Sequence, residues 1–322
     1  MPSSDKVRWG ILSPGRIASR LLQDAGRATN FTVVAAGSRS IDRAQEFAAK
    51  FGLARAYGSY DELLADKEVD AVYVGGPNSL HHPMTMLALS AGKHVLCEKP
   101  YSRHPAQVTE AFDAADAAGL LVMEAFMWRH TPQTRRFVEL LPEVGEVRSI
   151  RSTFGFVMES TTDVRLDPAM DGGCLSDVGC YPISGSRLVA GTEPVRVFGE
   201  QVLGPSGVDI QFSGMLRFPT GVVAEIVAGF TSDQRSLEVV GANGTLLSRD
   251  PWQGEFGGIE LNGKPELVPD VDAYRLEMEN LSDAILGRAK PLLGRADALG
   301  QARVIDALLR SAASGEAVSI AS

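Results

Sequence analysis

The chain has 322 residues, 44% hydrophobic and 22% charged. These are ordinary proportions for a packed protein, and they exclude wholesale disorder, a collagen-like repeat and a disulfide mini-protein. Asp plus Glu number 40 against 31 Lys plus Arg, a net charge of −9, which makes nucleic acid and anionic membrane poor partners. The length exceeds what one core usually supports, so two domains are expected. Cys97, Cys174 and Cys180 are an odd, sparse set without CxxC or Cys/His spacing; they fit a reducing cytoplasm and argue against zinc. No apolar run approaches transmembrane length. Met1–Asp5 lacks a signal-peptide core before the first strand. A cytoplasmic location is therefore expected.

In chain order, short apolar runs first alternate with segments of helical spacing. Val7–Leu12, Thr32–Ala36, Ala71–Val74, His94–Cys97 and Leu120–Ala125 read as buried strands. Ile17–Ala28, Ile41–Phe51, Tyr60–Ala65, Pro83–Ala91 and Pro105–Ala118 read as the helices between them. Gly52, Gly92 and Gly119 stand where a left-handed residue closes a helix. This alternation predicts a parallel sheet with right-handed crossovers and helices on both faces. From about Glu146 the strands follow one another: Val147–Met158, Val195–Leu203, Val208–Phe218, Gly221–Phe230 and Ser236–Gly241. Turn residues at Pro219-Thr220-Gly221 and Ala242-Asn243-Gly244 point to antiparallel neighbours. Helices are expected near Leu175–Ala190, Val271–Leu286 and Arg295–Ser314. No internal repeat, low-complexity tract or long linker is present, and the domain boundary is expected within Phe126–Pro132.

The first strand runs into Gly10-Ile11-Leu12-Ser13-Pro14-Gly15-Arg16-Ile17-Ala18. A dinucleotide loop needs a tight turn, a backbone that lets pyrophosphate approach, and a small residue where helix meets strand. Gly15 and Ala18 suit the second and third needs, while Ser13 stands in the place of the first glycine. The loop alone is equally compatible with an ordinary strand–helix turn; its place between the first strand and first helix favours the nucleotide. The second strand ends in Gly37-Ser38-Arg39-Ser40, with Arg43 a turn later and no carboxylate before Asp42. An NAD enzyme usually has an acid there for the ribose hydroxyl. Ser38, Arg39 and Arg43 instead suit a 2′-phosphate, which favours NADP over NAD. The alternative is that both arginines are solvated surface charges.

Glu98-Lys99-Pro100 closes a later strand, where ligands bind in doubly wound sheets. Pro100 restricts Lys99 and raises the chance of a cis bond; the alternative is a solvated strand end. The run Ala91–Pro100 resembles the Glu-Lys-Pro segment of the glucose–fructose oxidoreductase/inositol dehydrogenase (Gfo/Idh/MocA) family. The Ser13–Ala18 loop, Gly75–His82, Glu124–Arg129 and Gly172–Pro182 agree with it. Glu-Ala-Phe-Met-Trp-Arg with Gly-Cys-Tyr-Pro resembles one branch in particular, the dimeric dihydrodiol dehydrogenases and NADP-dependent D-xylose dehydrogenases; sugar ketoreductases share much of the pattern.

The resemblance implies an α/β Rossmann dinucleotide-binding domain over residues 1–127. Residues 128–322 would form an α+β substrate-binding and oligomerisation domain with a large, mostly antiparallel open-faced sheet. It implies catalytic roles for Lys99, Asp177 and Tyr181, with Tyr181 moving the proton. Ser13, Gly15, Arg16, Ile17, Ser38, Arg39 and Arg43 would hold the cofactor, together with Pro77, Asn78, His82, Glu98 and Lys99. Trp128 and Arg129, at the domain junction, would join Lys99, Asp177 and Tyr181 around the substrate. The partner expected is a small sugar or polyol, with a homodimer or homotetramer formed through the second sheet.

Elementary chemistry agrees. A Tyr titrates too high for a good base at neutral pH, and a nearby Lys lowers it. On an unbroken helix Asp177 and Tyr181 share one face. Pro182 means that the helix kinks or that Tyr181 lies near a new first turn. The alternative for Tyr181 is a buried tyrosine with a satisfied hydroxyl. His81 and His82 are adjacent and cannot chelate from one helix face, so no metal is expected. Asp163, Asp167 and Asp171 read as solvated loop acids that could touch a polyol. Met123, Met127 and Met158 read as core or pocket lining. The expected function is NADP-dependent hydride transfer at a CH–OH/C=O group of a sugar, cyclitol or trans-dihydrodiol. Alternatives are a biosynthetic ketosugar reductase, a non-catalytic NADP sensor and an interaction scaffold.

Overall fold

A computed structural model describes residues 5–252 and 258–320. Met1–Ser4, where the reading of the N-terminus begins, lie outside the described residues. The chain forms two compact units, and each is described by itself.

The first unit comprises residues 1–102, 106–130 and 272–298. In chain order it carries β1 (Val7–Leu12), α1 (Arg16–Leu21), β2 (Phe31–Gly37), α2 (Ile41–Phe51), β3 (Arg55–Tyr57) and α3 (Tyr60–Leu64). Then come β4 (Ala71–Val74), α4 (Asn78–Ser90), β5 (His94–Glu98), α5 (Pro105–Ala118) and β6 (Val122–Ala125). The six strands are all parallel, in the order β3-β2-β1-β4-β5-β6. This is the Rossmann order, whose switch point lies between β1 and β4. The strands are near-continuous apolar runs because helices cover both faces; every residue of β4 and β6 is buried.

The second unit comprises residues 103–105, 131–271 and 299–322. It carries α6 (Pro132–Leu140), β7 (Val147–Gly155), a π-helical turn (Leu175–Gly179) running into α7 (Cys180–Ala190), β8 (Arg196–Leu203), β9 (Asp209–Arg217) and β10 (Val223–Gly229). These are followed by β11 (Gln234–Gly241), β12 (Thr245–Arg249), β13 (Ile259–Leu261) and β14 (Lys264–Glu266). After α8 (Ala273–Ile285), which belongs to the first unit, α9 (Arg295–Ser314) and β15 (Val318–Ser319) close the chain. The nine strands run β14-β13-β12-β11-β7-β10-β9-β8-β15. All pairs are antiparallel except β7 with β10. Helix α7 packs on β7, β10 and β11. Along β9 buried and exposed residues alternate, as a sheet covered on one face requires.

Three expectations change. The units are not two continuous halves: α8 returns to the first unit. Trp9 Nε1 donates to Ser282 Oγ at 3.0 Å, Arg20 pairs with Asp272 at 2.5 Å, and Asn30 Nδ2 donates to Asp283 at 2.8 Å. Amphipathic spacing marks a helix but does not report which sheet it covers. The expected helix Ile17–Ala28 is a six-residue α1 followed by a 3₁₀ turn at Ala25–Arg27; Gly26 removes helix propensity there. The expected Pro83–Ala91 helix begins five residues earlier, at Asn78, with Pro83 in its interior. The short strands β3, β12, β13, β14 and β15 and the helix α6 carried too little pattern to be read.

Candidate functional site

In the first unit the expected cofactor residues lie at or beyond the carboxyl ends of the parallel strands. After β1, Ser13 adopts φ +62°, a conformation usually left to glycine. Its N–H donates to the Gly37 carbonyl at 3.1 Å, and Gly75 N–H donates to Leu12 O at 3.3 Å. The turns after β1, β2 and β4 are thus tied together. Gly15 is extended, with φ −143°, just before α1, and a Cβ at Gly76 would lie 3.7 Å from Ser13 Oγ. Arg16 is exposed and Ile17 half-buried at the start of α1.

Ser13, Pro14, Ser38, Arg39, Ser40, Arg43 and Tyr60 line a cavity of about 350 Å³. Ser40 caps α2, its Oγ accepting Arg43 N–H at 3.5 Å, and Ser38 Oγ accepts Ser40 N–H at 3.3 Å. Arg39 and Arg43 are exposed, and neither makes an ion pair among the described residues. Their guanidinium groups are therefore open to an anion. Tyr60, which the sequence reading passed over, forms a wall of this cavity.

Pro77 and Asn78 begin α4. His81 lies between the carbonyls of Gly76 and Pro100, at 3.0 and 2.8 Å. His82 is expected beside the nicotinamide ribose, yet both its ring nitrogens face groups of the first unit. Nδ1 is 3.0 Å from the Tyr101 hydroxyl and Nε2 is 3.2 Å from Glu110. The Lys99–Pro100 bond is cis. The Glu98 carboxylate turns inward, accepting the Tyr73 hydroxyl at 2.6 Å and the Lys99 N–H at 3.2 Å. It supports the Glu-Lys-Pro turn from within, and those bonds are not available to a cofactor. Trp128 is buried, and Arg129 lies over its ring at 5.6 Å with Asp297 at 3.4 Å. Neither stands out as an open substrate group.

The second unit carries Asp177 and Tyr181. Asp177 lies in the π-helical turn and Tyr181 follows in α7. The helix neither breaks nor stays α-helical: the π turn supplies a wider register just before Pro182, which lacks an N–H for an α-type bond. The unbroken i,i+4 relation expected for Asp177 and Tyr181 is therefore altered. Asp177 accepts Arg165 Nε at 2.7 Å, and Arg165 also reaches Asp163 at 3.3 Å. The Asp177 charge, with that of Asp163, raises the Arg165 pKa further. Asp163 is thus part of this cluster and not a solvated loop acid.

Gly172 and Gly173 are needed for close packing. A Cβ on the first would overlap the Arg165 carbonyl, and on the second, at φ +120°, the Asp209 carboxylate. Asp209 accepts Leu175 N–H at 2.6 Å at the start of the π turn. Tyr181 is buried edge-on to Phe154 at 5.1 Å and tilted against Trp252 at 6.1 Å.

The amino-acid pattern and this geometry agree with known proteins. Residues 7–126 match the oxidoreductase family model with an NAD-binding Rossmann fold, and residues 142–247 match the GFO/IDH/MocA C-terminal domain. The chain belongs to the GFO/IDH/MocA oxidoreductase family. A D-xylose 1-dehydrogenase (NADP(+)) from Haloferax volcanii is 35% identical, over 98% of this chain and 100% of that one. A trans-1,2-dihydrobenzene-1,2-diol dehydrogenase from Mus musculus is 33% identical over 76% of this chain and 75% of that one. Among solved structures, a 3-ketoreductase from Actinomadura kijaniata in complex with NADP and TDP-benzene is 31% identical. It superimposes with a TM-score of 0.88 over 95% of this chain and 98% of that one.

Membership makes this chain an NAD(P)-dependent oxidoreductase with an NAD-binding Rossmann fold; the relatives named above are dehydrogenases of a sugar and of a dihydrodiol. Among the described residues no helix is long and apolar enough to cross a membrane. The sequence reading missed Tyr60, Tyr73, Arg165 and Asp209. Only the glycine pair at 172–173 hinted at one of them, because two small residues together mark a close approach.

Proposed function

We propose that this protein is an NADP-dependent oxidoreductase acting at a CH–OH or C=O group of a neutral sugar, cyclitol or trans-dihydrodiol. The observation that carries the cofactor choice is the pair Arg39 and Arg43, which have no ion-pair partner among the described residues, beside a cavity lined also by Ser38 and Ser40. A 2′-phosphate offers several anionic oxygens to such a pair. The Ser13–Gly15 loop, Gly76 and the start of α4 at Pro77 and Asn78 suit the remainder of a dinucleotide, because their backbone is accessible and no Cβ fills the turn at Gly15 or Gly76. The NADP named for two of the relatives supports the same choice.

Bound there, the nicotinamide would accept or supply the hydride. The chain's residues would manage the proton. Lys99 binds the reacting oxygen and stabilises negative charge on it. Tyr181 takes the hydroxyl proton or returns it. Asp177, held in place by Arg165, accepts hydrogen bonds from substrate hydroxyls. One guanidinium between two carboxylates leaves this cluster net negative, which suits neutral polyols and disfavours sugar acids. Retention of Lys99, Asp177 and Tyr181 counts against a non-catalytic sensor.

The test is a panel of D-xylose, other aldoses, cyclitols and trans-dihydrodiols with NADP⁺, and of the matching ketones with NADPH, followed at the nicotinamide absorbance. Turnover with NADP⁺ well above that with NAD⁺ supports the reading. Tight NADPH binding with no turnover in either direction would make the protein a sensor. The open face of the second sheet, with Val202 and Met215 about half exposed, supports a dimer through that face. A monomer by light scattering would remove that part.

A further inference from the structure

The Glu-Lys-Pro turn rests on groups for which the functional reading has no use. Glu98, at the end of β5, is 7% exposed. Both its oxygens have donors: the Tyr73 hydroxyl at 2.6 Å and the Lys99 N–H at 3.2 Å. Tyr73 is fully buried in β4, and Gly75 leaves room for its ring, which a Cβ would approach to 2.8 Å. Helix α8 packs against β5 and contributes Glu277. Glu277 is 0% exposed, and neither of its carboxyl oxygens has a hydrogen-bond partner among the described residues. Glu98 is near enough for its charge to act on Glu277.

Two buried carboxyl groups within reach of each other's charge do not both ionise, because desolvation and like charge act together against the second. The donors are unequally distributed: Glu98 has at least two, and Glu277 has none among the described residues. Among the other groups facing the cluster, Asp272 is already taken by Arg20, which also lies over the Tyr274 ring at 4.9 Å. Tyr73 and Tyr274 are kept neutral by burial. We propose that Glu98 and Glu277 share one negative charge, seated on Glu98 by the Tyr73 hydroxyl and the Lys99 N–H, and that Tyr73 and Glu277 are positioning residues for the strand end that presents Lys99. Losing the Glu277 proton would set a second charge against Glu98 and loosen the support beneath Lys99. The proposal rests on the functional reading only for what Lys99 does; the arrangement of charge is independent of it.

The charge arrangement is read without activity. Burial pushes the Glu277 pKa well above its ordinary 4.5. The native state therefore keeps a proton that the unfolded chain releases. Its contribution to stability falls as pH rises from the unfolded value towards the native one. Glu277→Gln carries no titration. Its Tm should gain on wild type by about 4 °C or more between about pH 5 and pH 7. Parallel Tm–pH curves would overturn the shared charge. Infrared spectra of wild type with isotope-labelled glutamate give a second reading, needed if the variant fails to fold. A neutral carboxyl stretch persisting at pH 7 supports the proposal and its absence overturns it.

The positioning role is read through Tyr73→Phe. It removes one donor from Glu98, so kcat should fall about 10-fold near neutral pH with KM and NADPH affinity unchanged. A fall in NADPH affinity alongside kcat would mark Tyr73 as merely structural and overturn the positioning role. If no substrate turned over even in the wild type, the functional reading would fall, while the stability and infrared measurements would still decide the shared charge.

Discussion

Arg39 and Arg43, just after β2, and Arg165, in the loop before the π turn, are treated in opposite ways. The first two are exposed beside a cavity and make no ion pair among the described residues, although the chain carries a net charge of −9. Arg165 is engaged by two carboxylates, Asp163 and Asp177. A guanidinium without a carboxylate beside an open cavity favours an anion. A guanidinium between two carboxylates instead orients them and leaves acceptor capacity for hydroxyl groups. On the proposed function, the contrast separates two ligand chemistries: a phosphorylated cofactor at the first place and a neutral polyol at the second.

The severest test asks whether a third cation, Lys99, serves the reaction and not binding. Lys99→Met should lower kcat by about 10³-fold while NADPH affinity, read by fluorescence, stays within about twofold. A parallel loss of NADPH affinity would make Lys99 a binding residue like Arg39. Next in size is the double substitution of Arg39 and Arg43 by Ala. It should weaken NADPH binding by about 100-fold and leave NADH binding nearly unchanged, since each charged hydrogen bond is worth about 1.5–3 kcal/mol. The wild-type preference for NADPH should shrink with added salt, because both groups are exposed. Equal losses for the two cofactors would mean that neither arginine reads the 2′-phosphate.

The opposite half of the contrast predicts the complementary result. Arg165→Ala should reduce kcat/KM about 10-fold or more by leaving Asp177 without its charged donor, with cofactor affinity untouched. An unchanged kcat/KM would mean that Arg165 shapes only the loop.

The contrast also separates what was legible in the amino-acid order from what was not. Strands β1, β2, β4, β5 and β6 were visible because parallel strands covered on both faces leave unbroken apolar runs. The proposed anion site could be read because Ser38, Arg39 and Arg43 lie within six residues of one another. Arg165 was not, because its link to Asp177 depends on a loop folded back through Gly172 and Gly173. The π turn was hidden because Leu175–Gly179 has an ordinary helical composition. Glu98 and Glu277 are 179 positions apart (277 − 98), and no local pattern reports that α8 returns to the first sheet. Local order is readable where neighbours in sequence share one environment, and fades where a site is assembled from distant turns.

The smallest expected effect concerns Ser13, in the loop that lines the cavity beside Arg39 and Arg43. Its φ of +62° places a side chain where glycine is ordinarily required. A left-handed residue other than glycine costs about 1–2 kcal/mol, and glycine returns about 0.5–1 kcal/mol of that as unfolded-state entropy. Ser13→Gly should therefore raise Tm by about 1–3 °C. If the hydroxyl beside Gly76 also serves the cofactor, the same variant should bind NADPH about threefold less tightly, a weak neutral hydrogen bond. Higher stability with weaker binding would show local strain retained for a ligand contact, extending to a neutral side chain the logic of the two open arginines. Higher stability with unchanged binding would confine the anion site to Ser38, Arg39 and Arg43. A lower Tm would mean that the left-handed turn at Ser13 is held by contacts the serine itself supplies.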